Sequence, residues 1–155
     1  MAWTNWTNMD LTRVAYRVSV PDAIAHQIPR TPAVYAIRNP LAPGAPAERI
    51  IDIGMAGLRR GKGVRGRLAS AVAHSACERI ATAHAQGVLQ LPVEVSCWIL
   101  NGEAAAKSLE AGLMTLFNTE FHRLPMFNHQ PEPHEAPQAY EQIYQELKAH
   151  SLLNH

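Results

Sequence analysis

Arg49-Ile50-Ile51-Asp52-Ile53-Gly54-Met55-Ala56-Gly57, RIIDIGMAG, is the stretch on which the fold turns. Three isoleucines make a short apolar run closed by glycine, the pattern of a buried strand. An aspartate sits inside it, and a buried carboxylate without a partner is costly. Asp52 therefore has to meet something. Upstream, AVYAIR (Ala33 to Arg38) is a second short apolar strand. NPLAPGAPAE, Asn39 to Glu48, separates the two and carries three prolines and a glycine, so it is a loop. The two strands are expected to form a hairpin with a long tip.

The rest of the chain arranges itself around that hairpin. LTRVAYRVSV, Leu11 to Val20, is rich in β-branched residues and reads as a strand. PDAIAHQI opens with proline and aspartate and reads as a short helix. MAGLRRGKG is a glycine-rich basic loop. VRGRLASAVAHSACERIATAHAQ, from Val64, reads as one helix with Val64, Leu68, Ala71 and Val72 on a common face. In PVEVSCWIL, Val93, Val95, Cys97 and Ile99 alternate with Glu94, Ser96 and Trp98, a strand signature. AAAKSLEAGLMTLFNTEF is a helix with Leu109, Leu113, Met114, Leu116 and Phe117 as its apolar set, ended by Pro125. After the proline-rich link PEPHEAPQ, AYEQIYQELKAH is an amphipathic helix with Tyr140, Ile143, Tyr144 and Leu147 on one face. The expectation is one α/β domain with a small, mainly antiparallel, three-stranded sheet flanked by helices. Its core spans residues 28–130, with an N-terminal extension (1–27) packed on it and a C-terminal helical appendage (131–155).

A chain of 155 residues that is 47% hydrophobic and 17% charged can build a real core, which excludes a disordered or fibrous protein. Net charge is +1, so any nucleic-acid surface must come from how charge is distributed. Cys77 and Cys97 are the only cysteines, too few for a disulfide scaffold and without the paired spacing of a zinc site. The N-terminus lacks the basic start and apolar run of a signal peptide. No apolar run is long enough to span a bilayer. The expectation is a soluble, cytoplasmic protein with no membrane partner.

The ordered motifs resemble the GIY-YIG nuclease superfamily. Pro32-Ala33-Val34-Tyr35 resembles its first strand motif, and Asp52-Ile53-Gly54 its second, with Val34, Ile53 and Gly54 as the structural positions. Val64-Arg65-Gly66-Arg67-Leu68 resembles the helix that carries the family's arginine, in a register that selects Arg67 over Arg65. Ala106 and Glu110 match the alanine and metal-binding glutamate of the next helix, and Pro125-Met126-Phe127-Asn128 matches the closing Pro-x-x-Asn. The resemblance covers about residues 28 to 128. The sequence departs from it at Ala33, where the family has glycine, and at Asp52, where the family has its second tyrosine.

The resemblance implies a divalent-metal-dependent endonuclease hydrolysing phosphodiester bonds in DNA. Glu110 would hold one magnesium or manganese ion, since hard cations take carboxylate and water oxygens. Tyr35 would activate or position the attacking water. A phenol titrates near pH ~10, so the site must lower that value or use the hydroxyl only for orientation. Arg67 would meet the scissile phosphate through its planar fork. Arg59, Arg60, Lys62 and Arg65, interleaved with glycines, would line the nucleic-acid path with Asn128. Gly57 to Lys62 is not a P-loop, because the spacing is one residue short and no Ser or Thr follows the lysine. His74 lies two helical turns after Arg67 and would assist proton transfer or touch phosphate; the alternative is an ordinary surface histidine.

Three roles stay open for Asp52: a lost catalytic function, a substituted base or second metal ligand near Tyr35, and a structural hydrogen bond into the glycine-rich turn. Two other functions stay open with them. One is a noncatalytic nucleic-acid-binding module. The other is a protein-interaction or self-association domain using the C-terminal helix.

Overall fold

The computed structural model describes residues 2–12, 17–58, 63–69, 75–128 and 138–153. Five strands form one antiparallel sheet: β1 Thr7–Leu11, β2 Val18–Ser19, β3 Ala33–Arg38, β4 Ile50–Ala56 and β5 Val93–Ile99. Their order is β2-β1-β5-β3-β4. The helices are α1 Gly63–Leu68, α2 Ser75–Ala85, α3 Glu103–Phe121 and α4 Gln138–His150, with short 3-10 turns at Asp22–Gln27 and Pro46–Arg49. The chain is an α/β protein.

The hairpin read from the sequence is present. AVYAIR is β3, buried along its whole length because β4 and β5 flank it and helices cover both faces. Alternation sorts its side chains. Ala33, Tyr35 and Ile37 join Val93, Val95 and Cys97 of β5 in a core covered by Val64 and Leu68 of α1 and Cys77 and Ile80 of α2. Val34 and Ala36 face the opposite core with Trp98, Leu109, Leu113 and Phe117 of α3, and Leu147 of α4.

Three expectations need correction. The sheet has five strands, because the N-terminal segment pairs with the open edge of β5 through Thr7–Val95, Asn8–Glu94 and Met9–Val93. The N-terminal extension thus enters the sheet through β1 and β2. Of the strand expected over Leu11 to Val20, only Leu11, the last residue of β1, and Val18–Ser19 of β2 are strand, and residues 13–16 lie outside the described set. The long helix from Val64 is interrupted: α1 stops at Leu68, whose carbonyl accepts the Val20 amide at 2.8 Å, and α2 begins at Ser75. Ala71 and Val72 lie outside the described residues.

The C-terminal helix is integral to the second core, where Tyr144 and Leu147 are buried. Arg38 fastens its end. The guanidinium donates to the carbonyls of Ser151 (2.9 Å) and Leu153 (2.7 Å), pairs with Glu94 at 3.0 Å, and lies 4.1 Å from the Trp6 ring centroid. Trp6 in turn stacks on His150 and donates its indole N–H to the His150 carbonyl. The apolar face considered for a partner is therefore used within the fold. Among the described residues no helix is long and apolar enough to cross a membrane.

Candidate functional site

Tyr35 lies directly across from Gly54 in the β3–β4 ladder. A Cβ at Gly54 would fall inside the phenol, against its Cζ and hydroxyl. The glycine of the second motif is thus required by the tyrosine of the first: the ring crosses the neighbouring strand where only a hydrogen leaves room.

Two residues earlier, the ladder slips. Ile37 pairs with Asp52 but Arg38 pairs with Ile50, which leaves Ile51 as the extra residue of a β-bulge. The bulge sits immediately before Asp52, whose ladder partner Ile37 faces the α1–α2 side of the sheet, as does Tyr35. Asp52 is 2% exposed.

Four elements bring charge to this point. Arg67, from α1, donates a hydrogen bond to the Tyr35 hydroxyl, and its Nε is buried without an acceptor. Arg79 of α2 acts on Asp52 as an opposite charge, as does Arg67, while Glu110 of α3 repels it. Burial outweighs the two arginines and lifts the Asp52 carboxyl from an ordinary 3.8 to about 7. Glu110 is also raised by burial, against the pull of Arg67 and Lys107. Tyr35 is pushed well above the usual phenol value, by burial first and then by the Asp52 charge. At neutral pH the hydroxyl therefore keeps its proton while it accepts a hydrogen bond from the Arg67 guanidinium. Cys77, in the same pocket of charge, is pushed by burial to about 12 and carries no reactive thiolate.

Arg65 and Arg67 divide as their spacing requires, since residues two apart on a helix face away from each other. The Arg65 guanidinium donates to the carbonyls of Ile28 (2.6 Å) and His26 (3.3 Å), so it anchors α1 to the segment before β3. Gly63 starts α1 at φ +52 with the Thr31 backbone where a Cβ would stand, so only glycine permits the approach.

Asn128 acts on backbone. Its side-chain oxygen accepts the Ile53 amide at 2.9 Å and its side-chain nitrogen donates to the Ile53 carbonyl at 2.7 Å. The Phe127 amide donates to the Ile51 carbonyl at 2.8 Å. The Pro125–Asn128 turn thus pairs the outer edge of β4 on both sides of Asp52, which satisfies groups an edge strand leaves open. Arg79 secures the turn by donating to the Phe127 carbonyl at 2.8 Å.

The structure thus brings together Tyr35, Asp52, Arg67 and Glu110, with Gly54 beside the phenol and Asn128 on the Ile53 backbone, while the Val34 and Ile53 side chains belong to the opposite core. Arg59, Arg60, Lys62 and His74 lie outside the described residues. Arg79 is the member that sequence reasoning missed. Its one signal is position: it lies between Cys77 and Ile80, core residues of α2, with no motif spacing to Arg67.

Among the described residues no group of three or more His, Cys, Asp or Glu side chains could hold a metal ion. Asp52 and Glu110 are nevertheless hard oxygen donors whose mutual repulsion a cation would relieve. Two carboxylates do not make a closed protein cage. No protein-family model matches the chain, and no curated protein or solved structure matches it either.

Proposed function

We propose that the protein is a divalent-metal-dependent endonuclease that hydrolyses phosphodiester bonds in DNA, with a GIY-YIG-like core. The observation that carries this reading is the convergence of Tyr35, Asp52, Arg67 and Glu110, from β3, β4, α1 and α3, in one charge-coupled cluster. Clusters of groups with perturbed titration are what acid–base chemistry requires.

In this reading Arg67 binds the scissile phosphate, its guanidinium held in place by the neutral Tyr35 hydroxyl. Asp52 accepts the proton of the attacking water, a task suited to a group that titrates near neutral pH. The water oxygen bonds to phosphorus, the opposite P–O bond breaks, and solvent protonates the departing oxygen. Glu110, with Asp52 near it, would hold the cation, which when bound supplies positive charge for that departing oxygen. Tyr35 is a positioning residue here, because its buried hydroxyl keeps its proton and engages the Arg67 guanidinium.

That same burial favours a second reading, a DNA-binding module without chemistry, since a neutral enclosed phenol activates no water. Supercoiled plasmid separates the two. Nicking with magnesium or manganese, abolished by chelator and by Glu110→Gln, is the expected result. Plasmid retention without nicking in either metal overturns the nuclease reading and leaves the binding module.

A further inference from the structure

An open groove of about 410 Å³ runs along the outer side of α2, lined by Glu78, Arg79, Thr82, Ala83, Gln86 and Phe127. Residues 79, 82, 83 and 86 recur at helical spacing, so they form one face. Ala83 is the buried floor, and its small side chain leaves the space above it; Thr82 and Gln86 are exposed on either side. Phe127 closes the far wall, its backbone fixed by the bonds to Ile51 and Arg79. Because Ile51 adjoins Asp52, the Phe127 end of the groove abuts the charge cluster. Arg79 belongs to both, lining the groove and acting on Asp52.

We propose that this groove is a subsite for one nucleotide of a DNA strand, next to the phosphate that Arg67 holds. The assignment rests on the nuclease reading for its neighbour, while its own chemistry is in the groove. Arg79 offers a guanidinium to the sugar–phosphate. Phe127 offers an aromatic wall to the base. Thr82 and Gln86 offer a hydroxyl and an amide to the base edge, and Glu78 at the rim accepts from an exocyclic amino group. So open a depression suits a segment of a continuing strand better than a free small molecule.

The test uses the full chain in chelator with a fluorescein-labelled deoxycytidine oligonucleotide, so that binding is read without cleavage. Thr82→Trp fills the groove from an exposed helix position and leaves the charge cluster untouched. Thr119→Trp, on exposed α3 surface away from the groove, is the control. Affinity is expected to fall at least about tenfold in Thr82→Trp, the scale of losing one base–aromatic stack, and to stay at the wild-type value in Thr119→Trp. In the wild-type protein the oligonucleotide should shift the backbone amide resonances of Arg79, Thr82, Gln86 and Phe127, a readout independent of any variant. Wild-type affinity in Thr82→Trp, amide shifts confined to other surfaces, or no binding at all overturns the subsite. Plasmid nicking is scored in parallel: its absence with groove binding intact overturns the nuclease reading alone, and its presence with an unaffected Thr82→Trp overturns the subsite alone.

Discussion

Asp52→Asn removes a charge from the centre of the site while keeping the shape of the side chain. The native state raises this carboxyl from 3.8 to about 7. Between those values the unfolded chain has released the proton and the folded chain still holds it, so stability falls as pH rises. The contribution of the neutral acid is complete below about pH 4 and gone once pH passes 7. A carboxyl that holds its proton roughly a thousandfold more tightly when folded, at ~1.4 kcal/mol per factor of ten, contributes ~4 kcal/mol. Asn cannot titrate. Its amide adds a roughly constant cost of ~1–3 kcal/mol where an N–H lacks an acceptor, and that cost is the same at both ends of the range. The stability of Asp52→Asn relative to wild type should therefore improve by ~4 kcal/mol between about pH 4 and about pH 8.5. Urea unfolding in chelator at the two pH values measures this. Parallel pH profiles for the two proteins would refute the reasoning, because they would mean that Arg67 and Arg79 fully compensate the buried charge.

Gly54→Ala drives a methyl into the Tyr35 ring and should cost ~1–3 kcal/mol; adding Tyr35→Val should recover part of it, and strictly additive losses in chemical denaturation would reject the contact as the cause. Arg38→Met leaves Glu94, 1% exposed, without its ion pair and should cost ~3–5 kcal/mol, of which Glu94→Leu in the same chain should restore a large share. A double variant no more stable than Arg38→Met would show that the guanidinium bonds to Ser151 and Leu153 dominate instead. Asn128→Ala should cost ~1–3 kcal/mol and speed hydrogen exchange at the Ile53 amide in particular, with unchanged exchange there counting against the clamp.

The parts of the fold that the sequence announces are those whose periodicity is driven by burial. β3 is a continuous apolar run because both of its faces are covered. α3 carries a full apolar set, whereas β5 alternates in sequence although Glu94 and Ser96 are buried and Ile99 is exposed. β1 is different. Only Thr7 and Met9 are buried along it, over a run too short for a period to stand out, and what makes it a strand is the distant edge of β5. The break after Leu68 is equally invisible locally. An alanine-rich helical pattern continues through it, while the Leu68 carbonyl is claimed by Val20, far away in sequence. The site divides in the same way. Tyr35, Gly54, Arg67, Glu110 and Asn128 are legible through motif spacing, although Asn128 grips backbone. The bulge at Ile51 and the part played by Arg79 depend on register and on a helix packed across the sheet, which no local pattern encodes.

Burial of Asp52 has two consequences of opposite sign, and together they separate its possible roles. A phenol at position 52 would release its proton only near pH ~10, whereas this carboxyl exchanges one near 7. The desolvation that creates this poise also destabilises the charged native state at higher pH. If Asp52 is the proposed proton acceptor, Asp52→Asn should gain stability above neutral pH and lose nicking in the same protein. An aspartate kept only to hydrogen-bond the glycine-rich turn predicts a loss of stability at every pH. A carboxylate left over from abandoned chemistry predicts the gain in stability with no nicking to lose. Measured side by side in one variant, stability and cleavage therefore distinguish a working substitution from a structural bond and from a relic.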